Sequence, residues 1–347
     1  MHRITRRVLA GIAGAAAATA VLTAPSPARA ASGSLPLPNY GDIAVDDVHQ
    51  RVFVSGGPTT NGVVVTDFSG KVKKSINGQS GATGLALSAD SKSLYVALAS
   101  GDAISVIDTT TLAETARFPV GSQLCPTHLA RTGSVIWFGY GCDSDWTGKI
   151  GKLDTALTPP AVTLDQQGDA LFQRAPLLAS VTADAGPLVA GQLSLSLSTV
   201  RVFTVSGGAL SAGATGDVVG AGLADISVAP DAATFYTASG SRDHAEAFAP
   251  GDLSRRGAYP TGFRPDAVAV SPDNAFLAIG RTTGGADDVF VYEDGGSVPV
   301  NAFDLDSGDL VAPRGVAWSG DRKRLFVIAQ TATDPAPQLE IISHPAS

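Results

Sequence analysis

The sequence predicts an all-β protein: a seven-bladed β-propeller of four-stranded antiparallel blades, preceded by a cleaved signal peptide. Three observations carry this: an export-type N-terminus, a Gly-rich composition with few Met and Cys, and a strand–turn–strand pattern that recurs seven times.

The N-terminus comes first in the chain. His2, Arg3, Arg6 and Arg7 form a positive start, Val8 to Ala24 is an unbroken run of apolar, Gly and Thr residues, and Ala28-Arg29-Ala30 offers the small-x-small site that signal peptidases cut. The run is about 17 residues and is followed by Pro25 and Pro27, which is short for a bilayer span. Residues 1–30 therefore read as a signal peptide. Thr5-Arg6-Arg7 also fits the start of a twin-arginine signal, although the residues after it match that motif poorly, so the export route stays open. No other long apolar segment follows, and no membrane span is expected in the mature chain.

Charge narrows the partners. The 347 residues carry a formal charge of −8, with 24 Lys and Arg against 32 Asp and Glu. Removing residues 1–30 takes away four Arg and no carboxylate, leaving 20 basic residues and a charge of −12. An acidic chain without a basic run cannot supply the clustered Lys and Arg that phosphates demand, so nucleic acid is excluded as a partner.

The repeat comes next. An apolar and a small residue alternate twice, an anchor (usually Asp) follows, and an apolar strand begins four residues later. The clearest copies are Leu85-Ala86-Leu87-Ser88-Ala89-Asp90 before Leu94-Tyr95-Val96, and Val268-Ala269-Val270-Ser271-Pro272-Asp273 before Leu277-Ala278-Ile279. Ile226 to Asp231, Val316 to Asp321 and a weaker Ala179 to Asp184 keep the register, while Val48 and Thr132 stand at the anchor in two further copies. The anchors at 48, 90, 132, 184, 231, 273 and 321 are spaced by 42, 42, 52, 47, 42 and 48 residues. Alternation of period two before the anchor marks a strand, and Asp, Ser, Pro and Gly at the anchor make a tight turn. A third strand follows, as in Ile104 to Asp108, and then a more polar fourth, as in Glu114 to Phe118. Four antiparallel strands per repeat of this length make one propeller blade. The blades are expected at about 37–79, 80–121, 122–167, 168–220, 221–262, 263–308 and 309–347. The last lacks a fourth strand, which residues 32–38 are expected to supply, closing the ring.

Residues 86–112, ALSADSKSLYVALASGDAISVIDTTTL, resemble the YVTN-type repeat of secreted bacterial propellers, a relative of the WD-repeat and quinoprotein-dehydrogenase-like propellers. The resemblance covers residues 37–347. It implies fold more than function, because its motifs are strand and turn residues. It further implies that ligands sit on the face built by the loops entering each first strand and the loops joining second to third strands.

Those entering loops carry Asp42, His128, Arg174, Asp225, Arg264, Asp266 and Arg314, and the second-to-third loops add Asp143, Asp145, Trp146, Arg242-Asp243-His244, Arg281 and Asp287-Asp288. His128 stands where other blades place Ala or Ser, which predicts that it faces the channel mouth. Binding is assigned to Asp42, His128, Arg174, Asp225, Arg264, Asp266, Arg314, Trp146 and His244, with no catalytic residue, metal or cofactor.

Two function classes remain. One is a secreted, monomeric binding scaffold for an extracellular protein, peptide or glycan. The alternative is a lactonase-like hydrolase or lyase with a metal-assisted site at the channel mouth. The mature chain has only His49, His128, His244 and His344, without H-E-x-x-H or G-x-S-x-G, which weighs against the enzyme. Asp304 to Asp309 resembles a calcium loop but reverses Gly and Asp at its fifth and sixth positions, and Gly284-Gly285-Ala286 lacks the Lys of a phosphate loop.

Cys125 and Cys142 are the only cysteines. Export places them in an oxidising compartment, and their midpoint falls at the expected turn Gly133-Ser134, so they are predicted to pair across one hairpin.

Overall fold

Turn chemistry sets each blade. In a computed structural model, which describes residues 28–347 except 143–144, 194, 283–286 and 306–307, Ser88 Oγ donates to Asp90 Oδ1 at 2.7 Å and accepts from the Ser93 N–H at 3.0 Å. Asp90 also accepts from the Lys92 N–H at 3.1 Å, and its carboxyl is held down at about 2, first by the Ser88 hydrogen bond. Ser271 with Asp273 and Ser319 with Asp321 repeat the arrangement at 2.7 Å. The residue after four of the five anchor Asp residues is left-handed: Ser91, Ala232, Asn274 and Arg322 have φ of 54°, 62°, 62° and 59°. In blade 1, Asp46 takes the serine's place and accepts from the His49 N–H at 3.1 Å. Blade 3 makes a two-residue turn instead, with Thr132 opposite Val135 and Gly133 at φ 55°.

Ala232 is the anomaly among these turns, since neither its methyl nor a polar group favours a left-handed backbone. Ala232→Gly is expected to stabilise the protein by up to about 1 kcal/mol. A urea midpoint lower than the parent's would refute that account.

Seven four-stranded antiparallel sheets result, and within blades 1 to 6 the strands pair in chain order. The innermost strands stand side by side in a ring, from Ile43–Asp46 of blade 1 round to Asp309–Trp318 of blade 7 and back. No helix among the described residues is long and apolar enough to cross a membrane.

The second strands read as unbroken apolar runs because both faces are buried. In Ser93–Leu98, Leu94, Val96 and Leu98 pack with Phe53, Val63 and Val65 of blade 1, while Tyr95 and Ala97 pack with Ile136 and Phe138 of blade 3. Such a core lies between every pair of neighbouring blades among the described residues. The fourth strands, such as Ala113–Pro119, alternate toward solvent, as their polar sequence requires.

Blade 7 takes its outer strand from the start of the chain. Ala28–Ser34 pairs antiparallel with Gln338–Ser343, with Ala28 opposite Ser343 and Ser34 opposite Gln338. This strand lies four residues upstream of the expected 32–38 segment and includes Ala28-Arg29-Ala30. Residues 1–27 of the expected signal peptide lie outside the described residues, as do Asp143, Gly284-Gly285-Ala286 and Asp306-Ser307 of the calcium-loop look-alike.

Cys125 and Cys142 form a disulfide with Cα atoms 5.0 Å apart. Both lie just beyond the strands His128–Thr132 and Val135–Tyr140, on the loops that extend that hairpin. The hairpin register pairs His128 with Gly139, and carried outward it sets the cysteines opposite each other.

Candidate functional site

The loops entering the first strands converge on the channel mouth. Asp42 and Asp225 each stand six residues before their anchors and link neighbouring blades. Asp42 accepts from the Ile43 N–H and, across to blade 2, from the Leu85 N–H, both at 3.0 Å. Asp225 accepts from the Ile226 N–H and from the Val268 N–H of blade 6, both at 2.8 Å. Burial pushes both carboxyls up, Asp225 to about 7, while these N–H groups and the Arg314 cation pull the other way.

Arg314 reaches over the mouth from blade 7. Its Nη1 donates to His128 Nδ1 of blade 3 at 2.9 Å, and its Nη2 donates to the Gly41 carbonyl of blade 1. Its backbone is left-handed at φ 61°, and the Tyr40 hydroxyl donates to its carbonyl at 2.9 Å. His128 is buried, and desolvation followed by the Arg314 cation drives its pKa well below the usual imidazole value. The ring is therefore neutral, and since Nδ1 accepts, the proton sits on Nε2. Burial and the Asp42 charge push the Tyr40 phenol well above its normal range.

Two clefts of about 580 and 590 Å³ flank this centre and share His128 and Leu193. The first is walled by the disulfide and Arg174, the second by Arg264, Asp266 and Arg314. Arg174 is held in place by blade 3, because Trp146 and Gly148 donate backbone N–H bonds to Gln173 and Phe172 at 3.0 Å. A Cβ on Gly148 would come within 1.9 Å of the Arg174 carbonyl, so only glycine permits this approach. Arg264 is exposed, with φ 35°. Asp266 is buried and accepts from the Thr282 hydroxyl; burial raises its pKa, with Thr282 and Arg264 opposing.

The remaining two predicted residues stand apart. Trp146 is exposed on its loop and lines neither cleft. His244 joins a network within blade 5, bonded to Asp243 at 2.5 Å and accepting from Arg255 at 2.9 Å, beside buried Glu246. Sequence reasoning did not single out Tyr40 or Leu193: each lies in a loop with no repeat position to mark it.

Among the described residues, the one group of three potential metal ligands is Asp102 with Cys125 and Cys142. Its sulfurs are joined in the disulfide, and Asp102 accepts from the N–H groups of Gln123, Leu124 and Cys125 at 2.7, 2.9 and 2.9 Å. That arrangement pins the loop and leaves no metal geometry.

The sequence matches no protein-family model and no curated protein. Solved propellers do share its shape. A chain of the mitotic checkpoint complex aligns with a TM-score of 0.69 at 15% identity, over 98% of this chain and 99% of that one. The Swd1 β-propeller domain of Myceliophteria thermophila aligns at 0.66 and 12%, over 91% and 99%. A chain of hydrazine synthase from Kuenenia stuttgartiensis aligns at 0.62 and 16%, over 85% and 94%. At these identities the likeness is one of fold, a seven-bladed β-propeller.

Proposed function

We propose that this protein is a secreted, monomeric binding scaffold that captures an extracellular partner on the face where the channel opens. The observation that carries this reading is the pair of clefts meeting at His128 and Leu193, each of a volume suited to a ligand and each rimmed by an exposed arginine. His128, Arg174, Arg264, Asp266 and Arg314 line the clefts, while Asp42 and Asp225 act on Arg314 through space. Trp146 and His244 lie outside this set. The export-type N-terminus and the disulfide agree with an extracellular setting. One of the similar folds comes from a structure described as a complex, in keeping with a platform role.

Acid–base catalysis finds less support. The oxygens of Asp42 and Asp225 are engaged by main-chain N–H groups, and His128 Nδ1 is turned to a cation rather than to a carboxylate.

The test is capture on arrays of extracellular glycans and peptides by the purified mature protein. Leu193→Trp, which fills the wall common to both clefts, should weaken capture at least about tenfold, the equivalent of 1.4 kcal/mol. Arg131→Ser, beside the anchor turns on the opposite face, should leave it unchanged. Capture that survives Leu193→Trp and fails in Arg131→Ser would move the site to the other face.

A further inference from the structure

Building on the mouth as the binding face, we infer that the group it receives is a singly charged carboxylate, held by the free N–H donors of Arg314 together with the Nε2–H of His128.

The argument starts from what Arg314 lacks. A guanidinium has five N–H donors and is satisfied best by a carboxylate that accepts two of them in parallel. Arg314 is half-buried, yet its two hydrogen bonds go to neutral acceptors, the His128 ring and the Gly41 carbonyl. No ion pair to it exists among the described residues. The nearby carboxylates do not fill the gap, because the oxygens of Asp42 and Asp225 are committed to main-chain N–H groups of two blades each. A desolvated cation with neutral partners is costly to keep, and an anion arriving at the free donors offsets that cost.

His128 supplies the complementary donor. Its Nδ1 is engaged by Arg314, so the ring proton is on Nε2, and the ring lines both clefts. Nε2 has no partner among the described residues and is not among the buried orphaned atoms, which leaves it open to the clefts. Arg314 is presented rigidly, since Tyr40 holds its carbonyl and its backbone is fixed in a left-handed conformation. Strained backbone of this kind is held only where the surroundings over-determine it.

Charge decides between anions. Asp42 and Asp225 both act on Arg314 through space, so the site is not strongly positive once they ionise. Above about pH 7 a dianion such as phosphate meets about twice the repulsion that a monoanion does, and a planar monoanion can meet the guanidinium and the imidazole N–H. Sugar acids and peptide carboxylates share this chemistry. The exposed Arg174 and Arg264 stand at the rims for further anionic groups along the same chain.

The experiment is titration calorimetry of the mature protein with D-glucuronate, N-acetylalanine, glucose and inorganic phosphate. At least one carboxylate should bind, and more tightly than phosphate, with glucose silent; which carboxylate binds better identifies the source. Arg314→Gly removes the guanidinium where φ 61° suits glycine, so it should fold and lose carboxylate binding at least tenfold. His128→Phe should weaken binding while His128→Gln, which keeps a donor, should retain more of it. The proposal is overturned if no carboxylate binds, if phosphate or glucose binds as well, or if Arg314→Gly binds like the parent. Array capture lost in Leu193→Trp but unchanged in Arg314→Gly would refute the carboxylate and leave the mouth as the binding face.

Discussion

Raising the pH from 5 to 8 is expected to remove about 3 kcal/mol of stability that buried Asp225 contributes. Its folded pKa is about 7, pushed up first by burial, whereas an unfolded Asp titrates near 3.9. The folded state thus holds a proton that the unfolded state releases between those values. The contribution is fully present below about pH 4 and is gone once the pH passes the folded value near 7. Between pH 5 and the folded value near 7, two pH units of this kind amount to about 3 kcal/mol. Asp42 and Asp266 are also raised by burial and act in the same direction, whereas buried His128, depressed well below the unfolded value near 6.5, acts in the opposite direction below about pH 6.5. Asp90, Asp273 and Asp321 are lowered, so what they contribute is lost only as the solution becomes more acidic than this window. Urea midpoints at pH 5, 6, 7 and 8 give the test. Asp225→Asn should start from a lower value, because one amide oxygen cannot accept from both Ile226 and Val268, and the gap between parent and variant should narrow as the pH rises to 8. A gap that is constant or widens with pH would contradict this assignment.

Replacing both Cys125 and Cys142 by Ser should destabilise the protein by about 3 kcal/mol, the chain-entropy value for a loop of this length. The hairpin itself should persist, because the Asp102 carboxylate still gathers the N–H groups of residues 123 to 125. Removing Asp102 in addition should therefore cost more than the two single effects added, since both devices hold one loop. Unfolding with and without reductant measures this directly. A midpoint that does not move when thiol titration shows full reduction would leave the bridge without a stabilising role. The same loop walls the first cleft, so the reduced protein should also lose some of its capture on arrays.

The ring was legible in the sequence because each blade repeats a local device. Ser88-Ala89-Asp90 and its copies form a turn by bonding to their own backbone, and that chemistry needs no partner from elsewhere in the chain. The cysteine pairing was legible for the same reason, through the symmetry of one hairpin. The mouth was only partly legible. His128 was marked by breaking the small-residue rule of its strand position, yet nothing local joins it to Arg314, 186 residues away. Tyr40 and Leu193 contribute through positions that only ring closure creates. His244 looked like a mouth residue because its loop is on the right face, but its ring is turned to Asp243 and Arg255 within its own blade.

Closure by Ala28–Ser34 has a mechanical consequence. With residues 1–30 cleaved, as the proposed export requires, Ala31 opposite Glu340 becomes the first pair, and both termini leave blade 7 toward the same end of one ladder. Tension between the termini would then load the Ala31–Glu340 pair first, and the remaining pairs would open in succession like a zipper. Strands pulled in shear share a load across all their hydrogen bonds, and this geometry forgoes that sharing. A molecule tethered by one terminus transmits no force through the seam; one tethered by both would open there before any blade yields.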